Sequence, residues 1–348
     1  MKQRVYLDHN ATTPLRAAAR AAMVQAMDVL GNPSSVHGEG RAALGLIQKA
    51  RRQVAGAFGV GEHDIVWTSG ATEAAAMALS GQSRRASDVE HDAVRAWTVN
   101  DVPVDAQGQV GPGADVCQWA NSETGIIQNI LNDFWFCDMT QAFGKLPVSF
   151  EWSGATMACA SAHKLGGPKG VGCLILRRGT DISALFKGGG QELGRRAGTE
   201  NTIGIAGFGA AAAAAAQDLA DNRWAPVAKL RNILEKVLED SGLPLIFVGQ
   251  GGARLPNTSY VIAPGWKGET QVMQMDLLGF AISAGSACSS GKVKESRVLT
   301  AMGYTSAQAQ CAIRISLGLD TTEDDIMRFA TAWLAAYEKI LVRSTTGG

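Results

Sequence analysis

The sequence has no surplus of charge of either sign: 32 lysines and arginines face 32 aspartates and glutamates. A surface without a net field carries no footprint for nucleic acid or for an anionic membrane. No run reaches the roughly 18 uninterrupted apolar residues that a spanning helix requires. The segment MKQRVYLDHN lacks the apolar centre of a signal peptide, and the expectation is a cytoplasmic protein. Cysteine is scarce. Six in 348 residues are too few for a disulfide scaffold, and no CxxC or His/Cys spacing suggests a metal site. Cys117, Cys137, Cys159 and Cys173 lie in apolar runs and read as core thiols. What is present is ordinary globular composition, 46% hydrophobic and 18% charged, in a chain long enough for a large domain and a smaller one. Glycine is plentiful at 41 residues, and much of it sits in short loops beside polar residues, as in backbone loops wrapped around a ligand.

Along the chain, residues 5–8 read as a short strand followed by a turn that ends at Pro14. Helices are expected over 15–30 and 39–57, the first stopped at Gly31. Strands are expected at 64–68, 97–104, 115–120, 134–138 and 171–176. Only about a dozen residues separate the strands ending at 120 and starting at 134, near the minimum for a parallel crossover, so a very short helix or an irregular link is expected there. An alanine tract over 202–220 reads as a buried helix. Its Gly207-Phe208-Gly209 looks like half a dinucleotide fingerprint, but no strand precedes it. Beyond about 220, short strands (245–248, 259–263, 280–283) alternate with helices (227–240, 296–302, 323–341), which fits a smaller α+β domain packed on a larger α/β one.

Four places carry chemistry. Ser69-Gly70-Ala71-Thr72-Glu73 follows a strand and opens a helix, so free amides and the helix dipole converge on one spot; plain capping would use the same residues. Asp138 closes an apolar strand, where a carboxylate needs a cationic partner, structural or ligand. The stretch Ser161-Ala162-His163-Lys164-Leu165-Gly166-Gly167-Pro168-Lys169-Gly170 holds Lys164 on a tight turn between apolar segments. It is either a surface hairpin or an amine nucleophile whose pKa is lowered by burial. Cys288, within Ser283-Ala284-Gly285-Ser286-Ala287-Cys288-Ser289-Ser290-Gly291, has only small neighbours and reads as a presented thiol on a mobile loop. A helix start for phosphate, an acid for a ring nitrogen and a lysine for an aldehyde are together the parts of a pyridoxal 5'-phosphate site.

With these motifs in this order, the sequence resembles the cysteine desulfurases of the NifS/IscS type, in the class V aminotransferase group. The likeness runs through YLDHNATTP, GNPSSVHGEG, TSGATEA, VEHDAV, NSETG, DMTQAFGK, SAHKLGGPKG, GGGQELGRRAGTEN, RLPNTS, SAGSACSSG and AIRISLG. The resemblance implies an α/β protein of PLP fold type I: a large domain with a mainly parallel seven-stranded sheet over 15–219, and a small α+β domain from 1–14 and 220–348. It implies Lys164 as the Schiff-base lysine and His91 stacked on the ring and assisting proton transfer. Asp138 would face the ring nitrogen and Gln141 the phenolic oxygen. Ala71, Thr72, Ser161 and His163 would hold the phosphate, with Thr199 reaching in from the second subunit of a homodimer. Arg314, with Asn121, would bind the substrate carboxylate. Cys288 would take sulfur from L-cysteine as a persulfide, leave L-alanine, and pass the sulfur to an acceptor or iron–sulfur scaffold protein.

Some positions depart from the family pattern. Ser122 stands where the family has a ring-contacting asparagine. Gln191-Glu192-Leu193-Gly194 has one cation fewer than the usual Gln-Glu-Arg-Gly, while Arg196 remains. The regions 92–120 and 123–137 are short, which implies less cover on that face of the sheet. Two other readings compete: a selenocysteine lyase or another enzyme using the same cofactor and fold, and a non-catalytic paralogue. A presented thiol argues against simple elimination. Retention of Lys164, His91, Asp138, Cys288 and Arg314 together argues against loss of catalysis.

Overall fold

A computed structural model describes residues 4–129, 133–285 and 295–346. Five strands form the main sheet in the order Ile65–Thr68, Gly172–Leu176, Met157–Ser161, Phe136–Asp138 and Val116–Gln118. The strand Gly172–Leu176 runs against both neighbours, and the other pairings are parallel. A parallel pair, Arg85–Ser87 with Val99–Val102, continues the sheet. It is joined to the edge by the Asp115 amide donating to the Arg85 carbonyl at 2.8 Å. The expected seven strands are therefore present, as five plus two, with one reversed.

Strands buried on both faces must alternate their side chains between two helical layers. Ile65, Trp67, Ala158, Ala160, Cys173 and Ile175 point into a core completed by the helices Ala17–Met27, Gly38–Phe58 and Thr202–Ala220. Val66, Met157, Cys159, Leu174 and Leu176 point the other way, onto Ala74, Ala75 and Ala78 of the helix Ala71–Leu79. The helix Thr202–Ala220 matches the alanine tract to the residue. It is long and apolar enough to cross a membrane by composition, but 56% of its apolar window is buried inside the protein. Gly209 shows why the tract carries glycine: a Cβ there would lie 2.5 Å from Ala50 Cα on the facing helix. The half fingerprint is thus a helix-crossing contact.

Between the strands Val116–Gln118 and Phe136–Asp138, the described residues of the link form no helix. Ala120 bridges Ile127, and Ile126 bridges Arg254. This irregular segment ties the large sheet to a second, four-stranded antiparallel sheet, ordered Ser283–Ala284, Ala312–Ser316, Thr258–Ile262 and Ile246–Phe247. That sheet has its own core, including Trp266 and Trp333 with ring centroids 5.5 Å apart. Val5 and Leu7 belong to this core, and Val5–Tyr6 pairs in parallel with Phe280–Ala281. The start of the chain therefore packs with its last third, and residues 9–13 cross from there to the carboxyl ends of the large sheet.

Candidate active site

In open α/β sheets, ligands sit beyond the carboxyl ends of the strands. Here Thr68, Gln118, Asp138 and Ser161 end four strands that run the same way. A cavity of about 770 Å³ opens over these ends. Its wall includes Gly70, Ala71 and Thr72 at the start of the helix Ala71–Leu79. Ser161, His163 and Lys164, His91, Asp138, Gln141, Ser122 and Arg314 also line it.

Lys164 ends a tight helical turn, Ala162–Lys164, directly after the strand Met157–Ser161. The N-terminal crossing segment holds that turn. Thr13 N donates to His163 O at 2.9 Å, and Thr13 Oγ1 donates to Lys164 O at 3.0 Å. Gly166 has φ +85° and lies against Arg16, whose Cγ would be 2.6 Å from a Cβ at that position. Lys164 Nζ donates to the carbonyls of Asn10 at 2.6 Å and Ala11 at 3.0 Å. The lysine is therefore half-buried and fixed at the cavity wall, which rules out the solvated hairpin. Burial first, then the charges of Lys164 and Lys169, lower the His163 pKa to about 4. The ring is neutral at pH 7 and lies 3.2 Å from Thr12 Oγ1.

Asp138 Oδ1 accepts from Thr140 N at 2.8 Å, which sets the carboxylate's orientation at the strand end. His91 caps the short helix Asp92–Arg95, and its Nδ1 accepts from Ala93 N at 3.1 Å. That bond places the proton of the neutral ring on Nε2. Gln141 donates to Asn10 O at 2.9 Å and accepts from Lys145 Nζ at 2.8 Å. Arg314 is 3% exposed. Its Nη2 pairs with Asp8 Oδ1 at 2.8 Å, Nη1 donates to the Ser122 carbonyl at 2.9 Å, and Nε is buried with no partner among the described residues. A buried guanidinium N–H with no partner at a cavity wall suits an anionic ligand. The whole set offers an amine, a helix start with hydroxyls, a neutral imidazole and a carboxylate. That is the donor set a phosphorylated aldehyde with a basic ring nitrogen requires.

Among the described residues, two expected site residues do not line this cavity. Asn121 is buried beside it, in its own turn: Oδ1 accepts from Glu123 N and Thr124 N, each at 2.9 Å, and Nδ2 donates to Val89 O at 3.1 Å. These bonds hold the side chain in the turn and leave one of its two amide N–H groups uncommitted. Thr199 lines a different hollow, beside Trp67, Thr68 and Gly170. Cys288 lies outside the described residues. Ser122 contributes its backbone carbonyl to Arg314 rather than a long side-chain amide. Arg196 is held by Glu73, with Nε 2.8 Å from Oε1. Sequence reasoning passed over Asp8, Asn10 and Lys145. Their signal was their place inside YLDHN and DMTQAFGK, where polar residues border the site motifs.

Residues 5–96 and 117–329 match the model of the family Aminotransferase class-V. The interruption coincides with one of the short regions. A cysteine desulfurase from Sinorhizobium fredii is 39% identical, over 97% of this chain and 97% of its own. The protein named cysteine desulfurase IscS from Dictyoglomus turgidum is 36% identical, over 94% of this chain and 92% of its own. Among solved structures, a NifS-like protein from Rickettsia africae superposes with a TM-score of 0.87 at 31% identity, covering 97% of this chain and all of that one. SspA in complex with cysteine superposes with a TM-score of 0.74 at 27% identity, covering 90% of this chain and 98% of that one.

Proposed function

The chain belongs to the class-V aminotransferase family and is an enzyme of the cysteine desulfurase type, and from that premise we propose that it converts L-cysteine to L-alanine with pyridoxal phosphate held on Lys164. The observation that carries this reading is the Lys164 amine fixed at the wall of a cavity that also holds a helix start and the Asp138 carboxylate. When bound, the cofactor supplies an electron sink for bonds at the substrate's α-carbon. The protein's own groups do the rest. Ala71, Thr72, Ser161 and the neutral His163 hold the phosphate, and Thr199 completes that set from the second subunit of a homodimer. Asp138 would keep a proton on the ring nitrogen. Gln141 and Ser122 would flank the ring. His91 would cover it, with its own proton on Nε2. Arg314, steadied by Asp8, receives the substrate carboxylate. The Lys164 amine would serve as the base for the substrate's α-proton.

The sulfur leaves the cysteine β-carbon for Cys288. One C–S bond breaks, one S–S bond forms, and the β-carbon takes up a proton, so the products are alanine and a persulfide. A protein acceptor, such as an iron–sulfur scaffold, then takes the sulfur. The two cores support a division into 15–219 and 1–14 with 220–348, and the reading places the enzyme in the cytoplasm. Borohydride reduction of the yellow protein followed by peptide mapping tests the central residue. The cofactor is expected on the Lys164 peptide, and a label on another lysine, or on none, would refute the assignment.

A further inference from the structure

Behind the cavity wall lies a lysine with no part in the chemistry above. Lys145 is 2% exposed and does not line the cavity. Its Nζ donates to Asn10 Oδ1 at 3.0 Å and to Gln141 Oε1 at 2.8 Å. Both acceptors are neutral amides, so neither offsets an ammonium charge. Burial, and after it the facing cations Lys164 and Arg314, hold the Lys145 pKa well below the usual lysine value. An uncharged amine has two N–H bonds, the number these two acceptors take up. His9 also lies near Lys145, and burial first, then the nearby lysine, lower its pKa to about 4, so it adds no charge near neutrality.

The consequence falls on Gln141. Its amide oxygen is committed to Lys145, and one of its N–H bonds to Asn10 O at 2.9 Å. Turning the amide over would set two carbonyl oxygens against each other at Asn10, so only one orientation satisfies both neighbours. The remaining N–H is what Gln141 can offer to the cavity it lines. Asn10 is fixed by the same tether. Its Oδ1 accepts from Lys145 and, at 3.1 Å, from Asn257, while its Nδ2 donates to Thr258 Oγ1 at 2.9 Å. Its carbonyl is the one that receives Lys164 Nζ.

We propose that Lys145 is a positioning residue: its tether to Gln141 and Asn10 reserves an amide N–H for the phenolic oxygen of the cofactor and fixes the carbonyl on which the Lys164 amine rests. The proposal rests on the pyridoxal phosphate reading of the cavity. Lys145 touches neither cofactor nor substrate and acts through Gln141.

The test is the absorbance of the cofactor-loaded protein as a function of pH, in wild type, Lys145→Met, Gln141→Ala and the double variant. Losing an N–H from an ionised oxygen stabilises the protonated chromophore, so the midpoint is expected to rise by about one pH unit in each single variant. The double variant should rise no further than Gln141→Ala alone, because the two residues act in series. A merely structural lysine would lower the melting temperature in both backgrounds and leave the midpoint in place. An unmoved midpoint in Lys145→Met, or shifts that add in the double variant, overturns the proposal. Should the methionine variant not fold, Lys145→Gln keeps an N–H donor at that depth. It is expected to hold the wild-type midpoint, and a midpoint moved as far as in Gln141→Ala overturns the proposal. A wild-type protein with no chromophore on Lys164 overturns the underlying reading, an outcome distinct from either of these.

Discussion

Glu90, the residue before His91, is 1% exposed. Its Oε1 accepts from Gln118 N at 2.8 Å, and its Oε2 is buried without a partner among the described residues. Burial pushes its pKa well above the usual carboxylate value, and Asp138 adds to the rise. A carboxyl whose folded pKa exceeds its unfolded one costs nothing below the unfolded value and costs progressively more as pH climbs towards the folded one. Glu90→Gln keeps an acceptor for Gln118 N and removes the ionisation. The stability of this variant relative to wild type should therefore increase as pH rises above the usual carboxylate value, read as the difference between denaturant midpoints. A difference that stays constant with pH would contradict the burial argument. At this scale the sequence is readable where a residue type is out of place for its element. An acid closing an apolar strand and a lysine on a glycine turn both announce themselves. Lys145 does not, because a lysine between Gly144 and Leu146-Pro147 looks like any lysine on a turn, and only the fold shows it buried. Asn10 reads as a turn former for the same reason.

Among elements, the crossing of the helices Gly38–Phe58 and Thr202–Ala220 depends on small residues. Gly209→Val would push side-chain atoms into Ala50, and overpacking of this kind costs about 1–3 kcal/mol. Gly45 lies on the first of these helices, and a Cβ there meets nothing within 4 Å. Gly45→Ala should raise stability by roughly 0.5–1 kcal/mol through helix propensity. Thermal unfolding of both variants checks the pair, and a valine at 209 as stable as wild type would mean that the helices do not meet where described. Long helices were legible because their composition and their stops agree, and 202–220 is recovered to the residue. Strands were read too long. The apolar run 134–138 yields only Phe136–Asp138, and 115–120 yields only Val116–Gln118. An apolar run records burial, whereas a strand ends where its ladder partner ends, and that partner is distant in sequence.

For the whole molecule, the site lies where the large sheet's carboxyl ends meet the N-terminal crossing segment and the strand carrying Arg314. The motifs on the large sheet could be placed in order from sequence alone. The return of residues 5–7 into the second core, and with it the path of Asn10 into the site, depends on pairing across more than 270 residues, so the grouping of 1–14 with 220–348 came from the family resemblance and from no local pattern. That return sets Asp8 against Arg314 and Asn10 against Lys164, so one short peptide holds both cationic side chains. Both cores therefore contribute to one cavity wall. The proposed reaction is tested most directly by incubating the cofactor-loaded enzyme with L-cysteine and a thiol reductant, then measuring alanine and sulfide. Equimolar alanine and sulfide from wild type, with no alanine from Lys164→Ala and no persulfide on Cys288→Ala, is the predicted result. Pyruvate and ammonia in place of alanine, or undiminished alanine from Lys164→Ala, would contradict it.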